Sequence, residues 1–324
     1  MNRLPVRQLS WGALGLAVLF ILPRFLPEIR IHLMTEIFIF ALFAVSFNLM
    51  FGYAGQLPFG LAALFGVGAY GTALVFNHFP GIPLLAALLI AALSGAVAAA
   101  FIGFFCVRLS GPYFSLSTLA FQMFLYAVAL KWRSVTNGDD GMGVVRPDLH
   151  LPALGSISMR SIHNMYYLTL IVVTIGILAC YLFLKTPLGN SVVTVREKEI
   201  RASFLGYNVF LIKLLAFSAS GVLAGLAGGL FVLYEEFVAT TSLDMNMAMT
   251  PVLMTVIGGS GHFLGPVLGA VFYLMLQDWI SSLTSYWMLL MGGMFIVVVL
   301  YFQGGLISLL KLDWIWRLRN RGNR

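Results

Sequence analysis

Thr186–Phe217 reads TPLGNSVVTVREKEIRASFLGYNVFLIKLLAF, a charged stretch wedged between two long apolar runs. Arg196, Glu197, Lys198, Glu199 and Arg201 stand almost in a row. Pro187 is pre-set for a first helical turn, and Gly206 suits the residue that ends a helix. Glu197 and Arg201 sit at i and i+4 in the favoured order. Val192, Val195, Ala202 and Leu205 add a weak apolar stripe. The pattern predicts one short surface helix within 186–208, set between segments that prefer lipid. A solvated loop helix has the same signature, so the stretch gains meaning only from its surroundings.

Those surroundings are apolar. The 324 residues are 60% hydrophobic and 10% charged, and the mean hydropathy is +0.95. A soluble chain carries about 25% charged residues, so this one lacks the polar side chains to cover a water-facing globule. Ten apolar runs can be counted: 9–26, 31–51, 57–76, 83–107, 113–131, 164–184, 210–233, 246–258, 264–283 and 286–305. Most approach the ~20 residues a helix needs to cross a bilayer. The ~10-residue alternating stretches of an outer-membrane barrel are absent. The expected fold is all-α, a polytopic transmembrane helical bundle of about 8–10 segments forming one integral-membrane domain over 1–324. The third and eighth runs, short or glycine-rich, are expected to be half-helices or re-entrant pieces.

The net charge of +7 reads as topology rather than nucleic-acid binding, because Lys and Arg flank the spans. With an inner N-terminus and every run crossing, Arg108, Lys185, Arg196, Lys198, Arg201, Lys213 and the tail WIWRLRNRGNR (314–324) fall inside. Arg24, Arg30, Lys131, Arg133, Arg146 and Arg160 fall outside. Both termini are then cytoplasmic, and 132–163 is an extracytoplasmic loop. The first run follows Arg3 and Arg7 like a signal peptide, but Pro23, Arg24 and Pro27 follow it instead of a small-residue cleavage pattern. It reads as a retained span. Cys106 and Cys180 lie in apolar runs without ligand spacing, as small buried hydrophobes do.

Four further stretches carry the functional reading. Asn48–Gly71 (NLMFGYAGQLPFGLAALFGVGAYG) holds six glycines and, in its middle, one strongly polar side chain, Gln56. Such glycines serve tight helix packing or irregular backbone beside a cavity. Arg108–Gln122 (RLSGPYFSLSTLAFQ) restarts a helix at Pro112 and places Ser115, Thr118 and Gln122 on one helical face. That face either lines a polar path or bonds back to its own backbone. Thr136–Val144 (TNGDDGMGV) sets Asp139 and Asp140 among glycines, but the calcium-loop pattern ending in Glu is missing. No metal site is expected; a turn that meets another protein suits it better. Ile257–Ala270 (IGGSGHFLGPVLGA) looks like a re-entrant turn before a Pro266-started helix. Its GGSGHFLG faintly echoes GYAGQLPFG at 52–60, and paired glycine breaks in the two halves of a transporter often mark its path. The chain lacks GxxxxGK[ST], HExxH and GxSxG, so no catalytic residue is expected and no ATP binds here by that motif.

Taken in order, GYAGQLPFG (52–60), RLSGPYFSLSTLAF (108–121), NGDDGM (137–142), the 189–217 block and IGGSGHFLGPVLGA (257–270) resemble the LivM-like permease subunits of branched-chain amino-acid ABC importers. The likeness runs from about Glu36 to Leu306. It implies a bacterial inner-membrane subunit that moves a small polar organic solute inward, by default a branched-chain amino acid. It implies a second related permease, two cytoplasmic ATPase subunits carrying ATP and Mg, and an extracytoplasmic substrate-binding protein. It also implies that 186–208 is the coupling helix, with Arg196, Glu197, Lys198, Glu199, Arg201 and Gly206 at the ATPase contact. Gln56, Phe59, Ser115, Thr118 and Gln122 are the candidates for the substrate path, and Asp139 and Asp140 for the binding-protein contact. The family often shows Ser-x-Gly-His after GYAGQL, where this chain has Pro58-Phe59-Gly60-Leu61, and an aromatic where Leu264 stands. Those departures leave urea, short amides or organic acids as alternative solutes. A self-contained secondary carrier is the alternative mechanism.

Overall fold

The computed structural model describes residues 15, 17–79, 81–151, 155–301 and 305–306. Of the expected first span, 9–26, residues 9–14 and 16 lie outside them, as does the basic tail. The helices come in this order: α1 (Glu28–Asn48), which widens into a π turn at Leu49–Tyr53; α2 (Leu61–His78); α3 (Leu84–Cys106); α4 (Pro112–Lys131); α5 (Ile162–Lys185). Next come α6 (Pro187–Glu197), α7 (Glu199–Phe204), α8 (Val209–Glu235), α9 (Met245–Gly258), α10 (Gly265–Leu283) and α11 (Trp287–Tyr301). Seven are long and apolar enough to cross a membrane: α1 with its π turn, α2, α3, α4, α5, α8 and α10. The chain is a polytopic helical bundle.

The expectation for the third run needs correcting. α2 is an unbroken 18-residue helix, not a half-helix. Its glycines make room for neighbours instead of breaking the chain: Gly68 meets the Gly225 backbone, Gly66 the Leu243 side chain and Gly71 that of Ser94. The eighth run does stay short: the 14 residues of α9 reach about 21 Å, less than the ~30 Å hydrocarbon core.

α1 is the central helix. Of its most apolar stretch 78% is buried, against 33% for α3 and 28% for α4. The outer helices turn the rest of their apolar surface outward; on α3 the exposed side chains Leu89, Leu93, Val97 and Phe101 recur every four residues, a lipid-facing stripe. α8 packs on α3, α2 and α1. A Cβ on Gly228 would lie 2.0 Å from the Phe65 carbonyl oxygen, and one on Gly95 would lie 2.3 Å from that of Gly221. Backbone meets backbone there, the packing that joins helices where lipid offers no hydrophobic drive. Buried hydroxyls add cross-links: Ser220 donates to the Ser46 carbonyl at 2.8 Å, and Thr255 to that of Ala44 at 3.3 Å.

The 132–163 loop closes one end of the bundle. A single helical turn (Arg133–Thr136) leads to β1 (Met142–Gly143), and β2 (Leu149–Leu151) pairs with β3 (Gly155–Ile157). β1 pairs antiparallel with β4 (Phe237–Val238), just beyond α8. Arg146 donates to the Leu233 and Tyr234 carbonyls and pairs with Glu236 at 3.1 Å. This is the loop end. α6 and α7 form an elbow at the opposite end, between the C-terminus of α5 and the N-terminus of α8.

Candidate functional site

The single surface helix predicted from the sequence is two helices. The backbone turns extended at Lys198 (φ −153°, ψ 93°), between α6 and α7. Glu197 and Arg201 therefore no longer share one helix, and the ion pairs of the described residues do not include them. Glu199 instead pairs with Lys213 at 2.8 Å, where the Lys213 side chain is only 7% exposed. A buried ammonium needs its partner more than the solvated Arg201 does. Val192, Val195 and Ala202 are buried as a stripe would be, but Leu205 is not. Leu205, Ile200 and Phe204 stand 74%, 72% and 86% exposed, beside an open 800 Å³ groove lined by Ser110, Lys198 and Arg201 among others. Gly206 takes φ +85°. Its N–H reaches the Ser203 carbonyl and that of Tyr207 reaches Ala202, a left-handed helix end that favours glycine.

Arg196 leaves the charged row and turns inward. Its Nη1 donates to the Gly52 carbonyl. Its stem lies over Gly55, where an added Cβ would fall 2.8 Å from Arg196 Cγ and where φ is +70°. A Cβ on Gly52 would fall 2.6 Å from the Ser260 carbonyl oxygen. The two glycine stretches that echo each other in sequence thus touch in space, and the elbow is fastened to the same spot. The π turn of α1 ends there, a backbone form often found at functional positions.

The polar face of α4 is closed. Ser115 donates to the Leu57 carbonyl at 2.6 Å; Thr118 accepts from the Gly60 N–H at 3.3 Å. Gln122 donates to the Leu243 and Asp244 carbonyls at 3.1 and 3.0 Å. Gln56 is buried, with its Nε2 3.5 Å from the Leu109 carbonyl, and Phe59 is half-buried. These side chains lace α4 to the 57–60 turn and to the 240–244 segment. At the loop end Asp139 and Asp140 are exposed, and Thr240 donates to Asp139 at 3.4 Å.

A 430 Å³ cavity opens between α1, α9, α10 and α11 toward the loop end. Glu36 of α1 lines it together with Asp244, Asn246, Thr250, Tyr273 and Gln277, and Phe40, Trp287 and several methionines supply apolar wall. Gln56, Phe59, Ser115, Thr118 and Gln122 do not line it. Among the described residues no group of three or more His, Cys, Asp or Glu is placed to hold a metal ion.

The family profile described as "Branched-chain amino acid transport system / permease component" matches residues 29–299. This chain belongs to that family. The high-affinity branched-chain amino acid transport system permease protein LivM of Salmonella typhimurium is 26% identical over 300 residues, 87% of this chain and 70% of its own. LivM of Escherichia coli K12 matches to the same extent. The autoinducer 2 import system permease protein LsrC of Escherichia coli O157:H7 is 26% identical over 314 residues, 93% of this chain and 88% of its own. The chain is a LivM-like permease, a multi-pass protein of the bacterial inner membrane.

Within this LivM-like permease, sequence reasoning located the elbow but not its surfaces. It assigned all five charged residues the same outward role, whereas Arg196 and Glu199 bind inward. It passed over the exposed Ile200 and Phe204, whose signal was two apolar residues four apart inside a charged row. Glu36 is an acid inside the apolar run 31–51, though nothing in the sequence showed a cavity beside it.

Proposed function

We propose that this LivM-like chain is the membrane subunit of an ATP-driven importer, and that force made by separate ATPase subunits enters it through the elbow. The observation that carries this reading is the double fastening of that element. Arg196 ties α6 to the end of α1, and Glu199 ties α7 to α8 through Lys213. The face turned away from both ties shows Ile200, Phe204 and Leu205 to water. Contiguous exposed apolar side chains rimmed by charge are the mark of a partner surface. An ATPase gripping this face moves both α1 and α8. The elbow is then cytoplasmic, as are both termini, and the loop end faces outward, where Asp139 and Asp140 meet a soluble substrate-binding protein. A second related permease completes the path, and two ATPase subunits carry ATP and Mg.

The chain performs no chemistry in this reading. ATP binding biases it between two conformations, because the partners grip one more tightly than the other. The solute is a small polar organic molecule, by default a branched-chain amino acid. The relatives' names support a range, since LsrC is an autoinducer 2 import permease. Gln56, Phe59, Ser115, Thr118 and Gln122 hold the path wall in register rather than projecting into it. The whole assembly in vesicles is expected to take up labelled solute only with ATP, and Phe204→Cys is expected to cross-link to an ATPase subunit. Gradient-driven uptake by this chain alone, without nucleotide, would establish a secondary carrier instead.

A further inference from the structure

We infer that the cavity between α1, α9, α10 and α11 is a solute site, and that Glu36 receives a positively charged amine in it. The inference rests on the importer reading and adds the solute's chemistry and place. Glu36 lies eight residues beyond Glu28, the first residue of α1, about 12 Å along the helix at 1.5 Å per residue, well inside the span. Among the described residues it has no ion pair and no hydrogen bond. A carboxylate placed inside a membrane span without a partner is costly and marks a function when it faces a cavity. Here the cavity itself is what it faces.

The groups around Glu36 decide what it can take. Glu235 and Asp278 lie near enough to add their negative field. The nearby basic side chains point elsewhere: Arg146 is held by Glu236 and by two carbonyls, and the His32 ring packs on Tyr234. Asp244 is occupied as well, accepting from the Met245 N–H at 2.6 Å and from Asn246 Nδ2 at 2.8 Å. Of the two carboxylates that line the cavity, Glu36 therefore remains for a ligand. The negative surroundings reject an organic acid by like-charge repulsion and favour an ammonium over a neutral hydroxyl. Gln277, Tyr273 and Thr250 offer neutral hydrogen-bonding groups beside it. Phe40, Met247 and Met291 give the rest of the solute an apolar wall, the mixture typical of small-molecule sites.

The test uses the assembled importer in vesicles, with Thr250→Cys as reporter; Cys106 and Cys180 are both buried, and the chain without the new thiol is the control. Cationic aminoethyl methanethiosulfonate is expected to label Cys at 250 about tenfold faster than anionic sulfonatoethyl methanethiosulfonate, as a one-sign cleft concentrates counter-ions. Glu36→Gln is expected to lower that ratio severalfold and to cut uptake of an amine-bearing solute by about tenfold. An amine is expected to slow labelling, where a sugar and a carboxylic acid of similar size do not. Equal labelling by both reagents overturns the inference, as does equal protection by the sugar. Unchanged uptake in Glu36→Gln overturns it too. Loss of the second permease from Glu36→Gln also overturns it, because the surface is then a subunit interface. Nucleotide-independent uptake by the unaltered assembly would refute the importer reading while leaving the labelling ratio to judge Glu36 separately.

Discussion

Gln122 shows that a polar side chain in a membrane span can be held by backbone far along the chain. Gln122 was legible as one member of a polar helical face. Its partners, Leu243 and Asp244, lie 121 and 122 positions further along the chain, and no local pattern could announce them. Gln122→Leu is expected to destabilise the purified protein by about 1–3 kcal/mol, since it strands two buried carbonyls. A lowered thermal midpoint in detergent would record it, and an unchanged midpoint would return Gln122 to the path. Glycine at 228 is required by close approach alone. Gly228→Leu would press a side chain into the Phe65 carbonyl, 2.0 Å from the first added carbon. Overpacking costs typically about 1–3 kcal/mol, and contact with unyielding backbone places this case at the upper end. A reduced yield of monodisperse protein is the measurement. The glycine count was visible in the sequence; which glycines touch which backbone was not, because that depends on helix crossings.

At the scale of elements, the elbow was located from its charge density between apolar runs. Its break was not, because Glu197–Arg201 spacing argued for one continuous helix. A long-range competitor, the buried ammonium of Lys213, outweighed that local pair. Glu199→Gln is expected to cost about 1–3 kcal/mol, moderated because Glu199 is half exposed. The exchanged pair Glu199→Lys with Lys213→Glu is expected to recover a large part of the loss in thermal stability. Arg196 and Gly55 offer a second check. Arg196→Ala and Gly55→Ala each disturb one contact, so their effects on transport per ATP hydrolysed are expected to be non-additive. Strict additivity would indicate independent sites. Transport at the normal ratio in Arg196→Ala would remove the fastening from the mechanism.

At the scale of the whole molecule, composition alone settled the class, since a chain with so few charges has nowhere to go but lipid. The count of spans was less legible. Glycine-rich α2 read as broken because glycine weakens an isolated helix, whereas inside a bundle it lets neighbours close in. Burial also grades the helices, with α1 enclosed and α3 facing outward. Leu89→Arg on the outer face of α3 is expected to cost about 2.5–3.5 kcal/mol if it sits at mid-bilayer, less if the side chain reaches the interface. The amount of protein recovered in the membrane fraction measures this.

The kink at Lys198 carries a mechanical implication. A continuous rod would shift both of its attachment points by the same rigid motion, so one push would yield one response. Two short rods meeting at an extended residue can divide a push between separate arms. One arm steers the end of α1, the other the start of α8, and each can swing through its own arc. Under the proposed importer reading, a single grip in water becomes a pair of unequal displacements within the bilayer, the differential motion by which a passage shuts on one side as it opens on the other.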